Sequence, residues 1–130
     1  MEIILTPKES EEYFYNALCN GLPYICDGYD LTFEYMKKDY QSSRQNLIDA
    51  RDGNFSCFED VLMQMLRDGH RLDLLDEEGE DRWSIRLRDV HERVKNTPIK
   101  HLVNMIEGND DAVTADVILQ TVFIGDVIFG

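Results

Sequence analysis

The most apolar stretch of the sequence, residues 113–129, sets the strongest constraint on the fold, because so much apolar side chain has to leave water. Asp116, Gln120 and Asp126 interrupt it. It is too short and too polar for a membrane span, which needs about 20 apolar residues, so protein must cover it. The alternation of Val113, Ala115, Val117 and Leu119 would equally suit a strand. Asn109, Asp110 and Asp111 ahead of it, Gly125 behind it and its length favour a helix from Asp110 to about Ile124. On that helix Ala115, Ile118, Leu119, Val122 and Phe123 share one face, while Val113, Val117 and Ile124 fall on the other with Asp116 and Gln120. One core is expected to cover only one face. The reading therefore predicts a homodimer whose interface holds Ile118, Leu119, Val122, Phe123 and Phe129.

The rest of the chain reads as mixed helices and hairpins. Thr6, Pro7 and Glu9 form a capping box that starts a helix with Phe14, Ala17 and Leu18 inward and Tyr13 beside them. Gly21 is expected to end it near Asn20. Asp27-Gly28 then suits a tight turn between residues 24–26 and 29–35, a first hairpin with Tyr24, Cys26, Tyr29, Leu31, Phe33 and Tyr35 on one side. Residues 36–52 are polar, with Met36, Tyr40, Ser43 and Leu47 at helical spacing. Ser56 and Glu59 make a second capping box ahead of Phe58, Val61, Leu62, Met65 and Leu66, a helix that stops at Gly69.

Residues 71–76 and 82–88 alternate around an acidic loop centred on Gly79, a second hairpin. A register with Leu72 opposite Leu87 and Leu74 opposite Ile85 sets Asp73 opposite Arg86. Helices over 89–96 and 98–107 follow, parted by Thr97-Pro98. The order is not a strict βαβ alternation. It predicts an α+β fold, a small antiparallel sheet of two hairpins covered by about five helices, in a single domain over residues 1–130.

No residue pattern identifies a reaction. Cys19, Cys26, Cys57 and His70 could be drawn as a zinc site, but the spacing is wrong for paired ligands, and core cysteines in a reducing cytoplasm are the simpler reading. The start of the chain lacks a basic segment and a long apolar run, so no signal peptide is expected. Aligned as a calcium loop, the acidic turn puts Leu74 and Ile85 at ligand positions, which excludes that use. His91 and His101, with Asp89 and Glu92 nearby, could serve as a base and its orienter, but no nucleophile motif accompanies them. They read as surface or helix-capping residues. His70 is placed to meet the last carbonyls of the helix before it. No catalytic residue, metal or cofactor is assigned.

Charge carries more information. Thirteen Lys and Arg against 26 Asp and Glu give −13, which opposes binding to nucleic acid or anionic lipid over the whole surface. Yet Arg82, Arg86, Arg88, Arg93, Lys95 and Lys100 fall within 82–101 beside only Asp89 and Glu92, leaving that stretch at +4 and the remainder at −17. The strip either pairs with the protein's own acids, for example 68–81, or recognises an acidic or phosphorylated partner. The expected function is that of an acidic, non-enzymatic interaction or regulatory protein binding another protein. The alternatives are an inhibitor that mimics nucleic acid to occupy a basic groove, or a small enzyme with a histidine and carboxylate site.

Overall fold

The computed structural model describes residues 3–53, 57–78, 80–109 and 111–129. Its order is α1 (Pro7–Tyr29), β1 (Leu31–Glu34), α2 (Lys37–Ala50), α3 (Phe58–Arg67), β2 (Leu72–Asp76), β3 (Arg82–Ile85), α4 (Leu87–Arg93), a 3₁₀ turn (Val94–Asn96), α5 (Ile99–Ile106) and α6 (Ala112–Phe123). The fold is α+β, with six α-helices among the described residues and one three-stranded antiparallel sheet in the order β1-β2-β3.

The capping box opens α1 as expected, with the Thr6 hydroxyl accepting from the Glu9 N–H and the Glu9 carboxylate from the Thr6 N–H. The helix does not stop at Gly21. It runs on through Pro23 and Asp27-Gly28, and ends where Asp30 adopts the left-handed conformation at φ 54° with its N–H on the Ile25 carbonyl. The expected first hairpin is therefore not formed. Gly21 is a contact point instead: a Cβ there would lie 2.9 Å from the Cβ of Ala115. Glycine lets α1 approach α6 closely, and burial of Ile25 on the same helix outweighs the local cost of Gly21 and Pro23. Cys26, expected on a strand, sits half-buried in α1.

β1 survives as the outgoing half of that hairpin, with Leu31 and Phe33 buried and Thr32 and Glu34 exposed. It pairs with β2 across a connection containing α2 and α3, setting Phe33 opposite Leu74 and Glu34 opposite Asp73. The second hairpin forms, but two residues out of the expected register: Leu72 faces Ile85, Leu74 faces Trp83, and Asp73 faces Ser84 rather than Arg86. Both registers put the same faces inward, so alternation alone could not separate them. β3 ends at Ile85, and Leu87 begins α4. Ser56, Gly79 and Asp110, assigned to a cap, a loop centre and a helix start, lie outside the described residues.

α6 starts from Asp111, whose carboxylate accepts the Thr114 N–H. Every residue from Thr114 to Phe123 is buried. α1, α4, α5 and β3 pack around it, so the first apolar face and Val117 of the second find cover within one chain, while Val113 stays 48% exposed. Within the single chain Ile118, Leu119, Val122 and Phe123, expected at a dimer interface, are each 2% exposed or less. Phe129 folds back to stack on Tyr29 and meet Trp83 edge-on. The polar interruptions are what hold it there. Gln120 accepts the N–H groups of Ile128 and Phe129 and donates to the Phe129 carbonyl and to Asp116, which also receives the Tyr29 hydroxyl.

Candidate functional site

The six basic residues of the strip differ in how far the fold engages them. Glu34 and Asp73 stand directly opposite on the solvent side of the sheet, an arrangement of like charges that is unfavourable by itself. Arg82 resolves it by reaching across the strands, with Nη1 2.8 Å from Asp73 Oδ2 and Nη2 3.1 Å from Glu34 Oε1. Arg71 Nε approaches the other Asp73 oxygen at 3.0 Å. A carboxylate exposed by only 5% thus sits between two guanidinium groups, hydrogen-bonded by Arg82 and met at ion-pair distance by Arg71, and their charges offset the cost of its burial.

Arg86 and Arg88, expected on the wet face of a strand, lie at the start of α4. The Arg86 N–H donates to Asp89, and its Nη1 donates to the Gly69 carbonyl at 2.7 Å, just past the end of α3. Arg93 donates to the Val122 carbonyl in the last turn of α6 and lies 3.5 Å from Asp89. Cations near the carboxyl ends of helices are stabilised by the free carbonyls. Arg82, Arg86 and Arg93 are therefore engaged in the fold, although of the three only Arg82 meets the 68–81 acids through an ion pair.

Arg88, Lys95 and Lys100 are exposed and make no hydrogen bond or ion pair with a described residue. Arg88 and Lys95, with exposed Glu92 between them, recur at i, i+4 and i+7 along the outer side of α4 and its 3₁₀ turn. Lys100 opens α5. That helix buries Leu102 and Met105 but exposes Ile99 by 50%, Val103 by 37% and Ile106 by 44%. These three also recur at i, i+4 and i+7, making a continuous apolar ridge. Lys100 flanks the ridge near its beginning and Glu107 near its end. Sequence reading found the cations but missed the ridge, because α5 has apolar residues on both sides and only the packing decides which side is covered.

The histidines have structural partners. His91 Nε2 lies 2.9 Å from Glu11 of α1, not beside Asp89 or Glu92, and Glu11 also receives Arg67 Nε. Burial would raise the Glu11 carboxyl, but the bonds with His91 and Arg67 outweigh it and hold the group below its ordinary value. His101 Nδ1 meets the Thr114 hydroxyl at 3.1 Å and ties α5 to α6. The His70 backbone N–H bonds to the Met65 carbonyl, while its ring lies 3.6 Å from Asp39 rather than on a helix carbonyl.

Two further groupings were not legible in the sequence, because each draws on residues distant along the chain. Asp60 receives the Tyr15 hydroxyl and Arg51 Nη1. Burial would raise this carboxyl, yet those bonds hold it below its ordinary value, and the hydrogen bond to Asp60 pushes the Tyr15 hydroxyl up. The second is a polar cleft of about 380 Å³ lined by Glu34, Tyr35, Met36, Asp39, Gly69, His70, Arg71, Asp73, Arg82 and Arg86. The cysteines are free, with Cys19 exposed and Cys26 and Cys57 half-buried, so Cys19 is not the core residue expected. No described helix is long and apolar enough to cross a membrane. Comparison of the chain with protein-family models, characterised proteins and solved structures gives no significant match.

Proposed function

We propose that this chain is a non-enzymatic interaction protein that binds an acidic, amphipathic helix of a partner protein on the α5 face. The carrying observation is the ridge of Ile99, Val103 and Ile106, with Lys100 in its first turn and Lys95 in the 3₁₀ turn before it, neither paired among the described residues. An apolar centre bordered by charge is the usual make-up of a protein interface, and a row of side chains at i, i+4 and i+7 is a ridge that fits the groove between side-chain rows on a partner helix. The chain outside residues 82–101 carries a net −17, so an acidic partner would be repelled by the bulk of it and steered to Arg88, Lys95 and Lys100. Free cysteines fit a reducing compartment such as the cytoplasm.

The test replaces Val103 by a photo-crosslinking residue in the full chain, within its source cells. A discrete product with another protein is expected, lost when Lys95→Glu and Lys100→Glu are added. A product containing only a second copy of the chain, or one insensitive to those charge reversals, contradicts the proposal. If the same protein crosslinks instead from the exposed Glu77–Glu78 turn and is displaced by duplex DNA, nucleic-acid mimicry is the better reading.

A further inference from the structure

The polar cleft is built from parts that are half used. Arg82 spends both terminal nitrogens on Asp73 and Glu34. Arg71 is different: its Nε approaches Asp73, its side chain is 57% exposed, and its terminal nitrogens have no partner among the described residues. Arg86 is anchored through Nη1 on the Gly69 carbonyl, and its other guanidinium donors have no partner among the described residues. His70 immediately precedes Arg71 in sequence, with one ring nitrogen 3.6 Å from Asp39 and the other without a partner among the described residues. All three line the same cavity of about 380 Å³.

The hydrogen bond from Nη1 to the Gly69 carbonyl restricts the Arg86 fork, so fewer orientations of its remaining donors are lost when a ligand arrives, while Arg71 is held near the cleft by its ion pair with Asp73. A carboxylate needs only one such fork. Two forks and an imidazole offer donors for three or more acceptor oxygens, which is the demand of a tetrahedral phosphoryl group. Of the three cleft acids, Glu34 and Asp73 are already paired with Arg82 and Arg71, and Asp39 lies 3.6 Å from His70, so each has a cationic or imidazole partner and the free donors of Arg71 and Arg86 are left for a ligand. The cavity is also larger than a phosphoryl group alone, leaving room for the group that carries it.

We propose that this cleft is a binding site for a phosphate monoester, held by Arg71 and Arg86 with His70 alongside. The site is formed by the α3–β2 turn, the end of β1 and the start of α4. It is separate from the α5 face and does not depend on the function proposed for that face.

The test titrates the full chain with O-phosphoserine, inorganic phosphate and acetate at constant ionic strength, following the His70 ring and arginine Nε–H signals by NMR. O-phosphoserine and inorganic phosphate should shift the His70 and Arg86 signals saturably, binding at least tenfold more tightly than acetate. Phosphoserine tighter than inorganic phosphate identifies an ester as the ligand; the reverse order overturns that assignment. Arg71→Ala should weaken phosphate binding at least tenfold. Arg71→Lys, which keeps the charge beside Asp73, should weaken it by a smaller factor and protects the test if the alanine variant unfolds. No saturable shift, equal binding of acetate, or equal affinity in the folded Arg71 variants would overturn the proposal.

Discussion

A methyl group added at Gly21 would press on the Cβ of Ala115 at 2.9 Å and on its backbone carbon at 3.2 Å. Alanine is the better helix former by about 1 kcal/mol, but overpacking between two helices costs roughly 1–3 kcal/mol. Gly21→Ala is accordingly expected to lower the midpoint of chemical denaturation despite its higher propensity; a raised midpoint would show that α1 and α6 can separate freely. Asp60 makes a second prediction at this scale. Its carboxyl is held below its ordinary value by Tyr15 and Arg51, so its contribution is present above about pH 4, where an unperturbed aspartate is ionised, and is lost as pH falls through the lower folded value. Asp60→Asn should cost about 1–3 kcal/mol at neutral pH and lose less stability on acidification than the parent. Parallel losses for both proteins would remove Asp60 from the acid transition.

At the scale of elements, the terminal segment is the most exacting case. Gln120 holds residues 128 and 129 through its side-chain oxygen, and α6 must be in place before that contact exists. Gln120→Leu should free the Ile128 and Phe129 amides to exchange at least tenfold faster with solvent, while amides in the middle of α6 stay protected. Unchanged protection of those two amides would show that stacking of Phe129 on Tyr29 suffices. What was legible in the sequence at this scale follows the range of each signal. The Thr6 box was readable because both partners lie within one turn, and α3 because its apolar spacing matched one buried face. The end of α1 was misread because Gly21, Pro23 and Asp27-Gly28 are local breakers overruled by contact with α6, some ninety residues away in the chain. The hairpin register was missed by two residues because faces, which alternation does report, are unchanged by that shift. The cations of the candidate site were visible in the sequence; which of them the fold consumes was not, since Gly69 and Val122 offer backbone carbonyls that no residue pattern marks.

For the whole molecule, a net charge of −13 means that the folded chain carries unrelieved repulsion. Thermal stability should rise between about 0.01 and 1 M salt, over which the screening length falls from roughly 30 to 3 Å; a fall would place favourable ion pairs ahead of net repulsion. On the proposed function the basic strip is divided, with Arg82 serving the sheet and Lys95 and Lys100 facing outward for a partner. One comparison tests it directly: the thermal midpoint and the Val103 crosslinking yield of Arg82→Gln set beside those of Lys95→Gln with Lys100→Gln. Arg82→Gln leaves Glu34 and Asp73 face to face and should lower the midpoint while keeping the crosslink. The lysine pair should hold the midpoint, as exposed substitutions do to within about 0.5 kcal/mol, and reduce the crosslink at least fivefold. A crosslink that survives loss of both lysines, or a midpoint that falls as far as in Arg82→Gln, would contradict the division.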